Sequence, residues 1–208
     1  MDWNIVTSAL ITAATGVVGA VVGGVMSRRA SLEAAEAAHQ HALKLEKKKE
    51  EAQIRGLLRS ISCELRILGE VYGMNAGRSI EALKDDEPLM MMFSLTERYF
   101  IVYPSNTALT GQIPDAELVK LIIETYNKGN VLIELWRINN EYIRRYLDAE
   151  RDLKTMEPNP RVIAGRGQRD LLPPIEQARK IKEAHKSLQT QTATLLKRID
   201  EFLQEHPG

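Results

Sequence analysis

The most constraining stretch of this 208-residue chain is Ile5 to Met26, IVTSALITAATGVVGAVVGGVM. It holds about 22 residues and no charge, and at about 1.5 Å per residue a helix of that length just crosses a hydrocarbon core about 30 Å thick. The spacing predicts a transmembrane helix. A cleaved signal peptide needs a basic leading segment and a shorter apolar core. Here the leading residues are Met-Asp-Trp-Asn, and the first basic pair, Arg28–Arg29, follows the run. The competing soluble reading, a helix buried on every face, is unusual at this length.

The flanks set the expected sidedness. Lysine and arginine stay on the cytoplasmic side. Arg28, Arg29, Lys44 and Lys47 to Lys49 all follow the run, and only Asp2 precedes it. The expectation is a single-pass protein of the inner (plasma) membrane, N-terminus out, with the body in the cytoplasm. Trp3 suits the headgroup belt, and Arg28 and Arg29 suit contact with anionic lipid.

Small residues recur through the run. Ser8, Thr12, Gly16, Ala20 and Gly24 are spaced by four, and Gly19 and Gly23 form a neighbouring row. Residues four apart share a helix face, and a face without bulk lets two backbones approach closely. Self-association into a homo-oligomer is the functional expectation. The plainer explanation is that glycine and alanine are common in membrane helices. A pore would need a more polar lining than serine and threonine provide.

Composition narrows the rest. Lys+Arg and Asp+Glu are 28 each, so no net charge draws the chain to nucleic acid. Aromatics at 5% argue against a base-stacking platform. The one cysteine, Cys63, excludes an intrachain disulfide and a cysteine-based zinc cluster. No HExxH, GxSxG or P-loop pattern occurs, so neither an enzyme nor a cofactor site is expected. His39 and His41 stand two apart on different helix faces, which makes a poor metal pair.

The expected organisation is an anchor over 1–27, a charged helical stalk over 28–53 and a helical bundle over 54–208. The stalk is rich in alanine, glutamate, lysine and leucine, with no proline, no glycine and no apolar stripe. At about 1.5 Å per residue it would hold the body roughly 35 to 40 Å from the bilayer. From Ile54 an alternation of four and three begins, through Leu58, Ile61, Leu65, Leu68 and Tyr72, which is a heptad seam. This helix weakens at Gly73–Gly77 and should end near Lys84. Met90-Met-Met-Phe93 reads as a packing plug or a partner contact. Tyr99–Tyr103 could be a short strand, but without a second strand it fits a turn or extended segment better. Ser105 or Asn106 would cap a short helix ending at Gly111.

Pro114-Asp115 opens a helix through about Lys154, expected to be the longest, with Leu118, Ile122, Leu132, Trp136, Asn139 and Ile143 on its seam. Asn139 is the kind of buried polar residue that fixes register. Gly129 would admit a neighbouring helix. Glu157–Pro174 reads as a basic loop in which Arg161, Arg166 and Arg169 could meet a phosphate or lipid headgroup. Pro174 then starts a last helix with Ile181, Leu188, Leu195, Ile199 and Phe202 inward. The fold class expected is all-α, an antiparallel three-helix coiled-coil-like bundle, up, down and up. On that topology the arginine loop faces the membrane side.

The layout of an N-terminal span, Cys63-Glu-Leu-Arg66 on the first bundle helix and Gly111-Gln-Ile-Pro-Asp-Ala-Glu-Leu-Val119 leading to Tyr126 resembles uncharacterised single-pass bacterial membrane proteins with a cytosolic helical bundle, often carried on prophages or mobile islands. The resemblance implies a phage-defence or superinfection-exclusion role and carries no catalytic residue. Two functions are therefore expected to compete: a membrane-anchored adaptor presenting its bundle to an unidentified cytosolic protein, and a membrane-damaging effector that oligomerises through its glycine-rich span.

Overall fold

A computed structural model describes residues 3–95, 99–155 and 160–207, with side chains placed for 24, 26, 28, 29, 31–95, 99–151 and 174–207. The described chain is all-helical, with no strand among these residues. Helix α1 runs Trp3–Tyr72 and passes through a π turn at Gly73–Gly77 into the short α2, Arg78–Ala82. After a long connector come α3 (Thr107–Thr110), α4 (Ala116–Thr155) and α5 (Pro160–Glu205). The chain divides into two units, Met1–Glu51 and Ala52–Gly208.

In the first unit the described residues from Ser31 to Glu51 are all helical and all exposed. That follows from composition. Strong helix formers without an apolar stripe give a helix with nothing to bury. Among the described residues no helix is long and apolar enough to cross a membrane. The run Ile5–Met26 lies almost wholly on residues whose side chains fall outside that description, as do Ser8, Thr12, Gly16, Gly19, Ala20 and Gly23. Gly24, Arg28 and Arg29 are described and exposed.

The second unit is built on the expected seams. Ile54, Leu58, Ile61 and Leu65 of α1 are buried, as are Leu118, Ile122, Leu132, Trp136 and Asn139 of α4 and Ile181, Leu195, Ile199 and Phe202 of α5. Helix α4 starts where proline and aspartate place it. Asp115 accepts the Leu118 N–H at 3.0 Å, which satisfies one of the first-turn donors.

The direction of α4 differs from expectation. Leu58 and Ile61 share one core with Leu118, Ile122, Leu195 and Ile199. Ala76 and Ile80 share a second with Leu132, Trp136, Ala178 and Ile181. Residue numbers therefore rise together along α1 and α4 and fall along α5. Only α5 is antiparallel to the other two. The reason is the connector, which is long enough to travel back along the bundle before α4 begins.

That connector is a strap. Leu89, Met91, Phe93 and Leu95 face inward while Met90, Met92 and Ser94 are exposed, the period-two alternation of extended chain. It has no neighbouring strand, and side chains supply its hydrogen bonds. Asn139 donates to the carbonyls of Leu89 (3.3 Å) and Met91 (3.1 Å), and Asn140 exchanges two bonds with Phe93 (3.0 and 2.8 Å). The methionine run is thus half plug and half exposed surface. Farther on, Glu64 of α1 accepts the N–H groups of Ile101 (2.6 Å) and Val102 (3.2 Å) and the Tyr126 hydroxyl.

Four further expectations are corrected. Gly129 admits not a helix but the Phe100 ring: a Cβ there would lie 2.3 Å from Phe100 Cζ. Phe100 itself has φ 57°, a left-handed conformation that costs a bulky residue energy and is held by the Glu64 bonds just after it. The last helix begins at Pro160 rather than Pro174, so the backbone of 160–173 is helical, not a loop. Proline is well suited to a helix's first position, and the later pair Pro173–Pro174 misled the reading. α1 and α5, at 70 and 46 residues, both exceed α4 at 40. Arg161, Arg166 and Arg169 have side chains outside the described residues. Because α4 runs parallel to α1, it leads toward the Tyr72 end of the second unit, so the topology that turned these arginines back toward Ile54 does not hold.

Candidate functional site

Between the two cores the second unit is not filled. At this level the chain carries small or polar residues: Gly69 on α1, Gly73 at the start of the π turn, Gly129 on α4, Thr192 and Ala193 on α5. The α4–α5 pair packs closely, whereas α1 stands farther off and leans on the strap. The result is an open-sided recess of about 600 Å³, within the range of small-molecule sites, roughly 300–1,000 Å³. Leu68 and Leu188, both expected on the seam, are only half-buried because they wall this recess.

One end is aromatic. Phe93 meets Tyr72 edge-on at 5.6 Å and lies 5.1 Å from Trp136. Trp136 Nε1 donates to the Tyr72 hydroxyl at 3.2 Å. Burial pushes the Tyr72 pKa up to about 12, so the phenol keeps its proton at any physiological pH. The π turn begins just beyond Tyr72, and such turns inside α-helices recur at functional sites. His185 is 4% exposed, 5.5 Å from the Tyr72 ring, with Nε2 3.4 Å from a Glu81 carboxylate oxygen.

Among the described lining residues the carboxylate and guanidinium groups are Arg66 and Glu70, one of each sign, both exposed. Arg66 is already engaged by Asp200 at 3.1 Å and by Ser62. Elsewhere, carboxylates that might have suggested chemistry serve as fasteners. Asp85 and the Leu83 carbonyl receive Lys182, and Glu87 accepts the Lys84 N–H. Asp115 holds Arg198 as well as its own helix start, and the Leu118 N–H followed by Arg198 keeps its carboxyl below the usual range. Among the described residues no group of three or more His, Cys, Asp or Glu could hold a metal ion.

Sequence reasoning did not identify Glu64, Phe100 or Asn140, nor the recess. Glu64 had a faint signal, a glutamate one residue from the buried Leu65 in a seam that otherwise leaves its carboxylates in solvent. The recess had another, the coincidence of small residues at one level of three helices. No family model, no curated protein and no solved structure matches this chain.

Proposed function

We propose that the chain is a membrane-tethered helical adaptor that presents its second unit to a cytosolic protein partner. The observation that carries this reading is the helix from Ser31 to Glu51, solvated on every face, between an uncharged run and a packed body. A helix that buries nothing serves as a spacer between two things that are held elsewhere. The partner surface in this reading is the outer face at the end of α1, where Ile67 on α1 and Met74 in the π turn are exposed seven residues apart. That is the spacing by which helices present anchors to a partner.

The test is capture of the full chain with its neighbours by crosslinking in membranes, comparing the natural chain with Ile67→Asp and Met74→Asp. The reading expects both variants to pellet with membranes and to lose a specific crosslinked partner. A full chain found free of membranes, or crosslinks unchanged by both substitutions, contradicts it.

The effector reading is favoured by one feature, the small-residue rows of the run. It requires that expression depolarise cells and that Gly16→Leu and Gly19→Leu abolish the effect. Cells that keep their potential at high expression of the natural chain exclude it.

A further inference from the structure

The recess between the two cores differs in kind from the partner face on α1. It is concave, and Tyr72 and His185 place polar atoms at one end. The Tyr72 hydroxyl accepts from Trp136 but has no acceptor for its own proton among the described residues. The Thr192 hydroxyl lies on the same lining, about two turns farther along α5. His185 adds a buried imidazole beside Tyr72. Leu65, Leu68, Leu132, Ile133, Leu188 and Leu196 make much of the rest of the wall, with Gln189 the further polar side chain beside them. Few convergent polar groups in a mainly apolar concavity is the usual make-up of a small-molecule site.

Charge decides the ligand class. A carboxylate or phosphate would need a free cation, and among the described lining residues the one arginine or lysine, Arg66, is already paired with Asp200. A cation would have Glu70 as the one carboxylate among the described lining residues, an exposed group whose attraction water screens. An uncharged molecule incurs neither cost, and its oxygen offers the acceptor that the Tyr72 proton lacks. We propose that this recess binds one uncharged, mainly hydrocarbon molecule bearing a carbonyl or ester oxygen, with Tyr72 donating to that oxygen. The proposal does not depend on the membrane reading.

The test uses the full chain held in amphipol and a diazirine-bearing monoacylglycerol as photoprobe, with adducts mapped by mass spectrometry. Adducts are expected on the two lining stretches, residues 65–73 and 185–196. Monolaurin should compete, while lauric acid at neutral pH and dodecyltrimethylammonium should each need about tenfold more, the cost of one unpaired charge or lost bond. Tyr72→Phe should raise the monolaurin required by about five- to tenfold. Leu188→Trp fills the recess and should abolish both adduct sites. Ala193→Phe, at an exposed rim position, does the same with less risk to folding. Adducts confined to the uncharged run, equal competition by the charged amphiphiles, or labelling unchanged in a folded Ala193→Phe chain would each overturn the proposal. If neither filled variant folds, adduct position and competition in the natural chain still decide.

Discussion

Glu64 hydrogen-bonds α1 to both the connector and α4, and its removal has a magnitude that can be worked out. The carboxylate accepts from Ile101 N, Val102 N and the Tyr126 hydroxyl. Tyr126 is 1% exposed, so in Glu64→Ala its hydroxyl loses its acceptor without gaining water, at about 1–3 kcal/mol. The Val102 amide is part-buried and adds roughly 0.5–1.5 kcal/mol, while the exposed Ile101 amide rehydrates at little cost. The sum is about 2–4 kcal/mol, or roughly 5–15 °C in Tm for a chain of this size. Tyr126→Phe alone removes the Glu64 bond and the oxygen that the Tyr103 N–H meets, and leaves Glu64 its amide donors, so it should cost about 1–2.5 kcal/mol. The double variant should cost less than the two single losses together by about 1–2 kcal/mol, because the orphaned hydroxyl is gone. Urea unfolding of the full chain in a Trp3→Phe background, read by the buried Trp136, measures all three. Losses that add within about 0.5 kcal/mol would refute the hydroxyl–carboxylate bond.

Gly129→Ala should destabilise by about 1–3 kcal/mol, since its Cβ overlaps the Phe100 ring, and that cost should vanish in a Phe100→Ala background; paired thermal melts check this. Asn140→Ala should leave the Phe93 amide without its acceptor, speeding its hydrogen exchange by about tenfold or more while the amides of α4 stay protected. Asn139→Asp should be worse than Asn139→Leu in denaturant unfolding, because the aspartate sets a buried carboxylate against the Leu89 and Met91 carbonyls. Asp115 has its pKa lowered from 3.8, so its contribution to stability is complete above that value and is lost as pH falls through the lower folded value. Asp115→Asn, which keeps a capping oxygen, should flatten the acid limb of stability below about pH 4.

What could be read from the sequence was what repeats locally. The four–three spacing of Ile54–Tyr72, of Leu118–Ile143 and of Ile181–Phe202 marks the inward faces, and Pro114-Asp115 marks a helix start. The weak point at Gly73–Gly77 is a π turn, and the helix ends at Ala82, close to where Lys84 was expected to end it. What could not be read depends on residues far apart in the chain. Asn140 and Phe93, or Glu64 and Ile101, meet across dozens of residues and leave no periodic trace. Without those anchors nothing told the connector to run back along the bundle, and so the direction of α4 was misread. Prolines 173 and 174 were given the weight that proline carries in isolation, whereas the helix begins ahead of them at Pro160. The recess escaped notice because it is bounded by what Gly69 and Ala193 lack.

Cys63 is the only cysteine of the chain and is exposed, which makes it a reporter of where the body resides. The most direct test of the membrane-tethered account is to treat intact and ruptured cells with a membrane-impermeant maleimide and follow the label into carbonate-washed membranes. The account predicts a labelled full-length band in the membrane pellet from ruptured cells and none from intact cells. A labelled band from intact cells, or a labelled chain left in the carbonate supernatant, would contradict it.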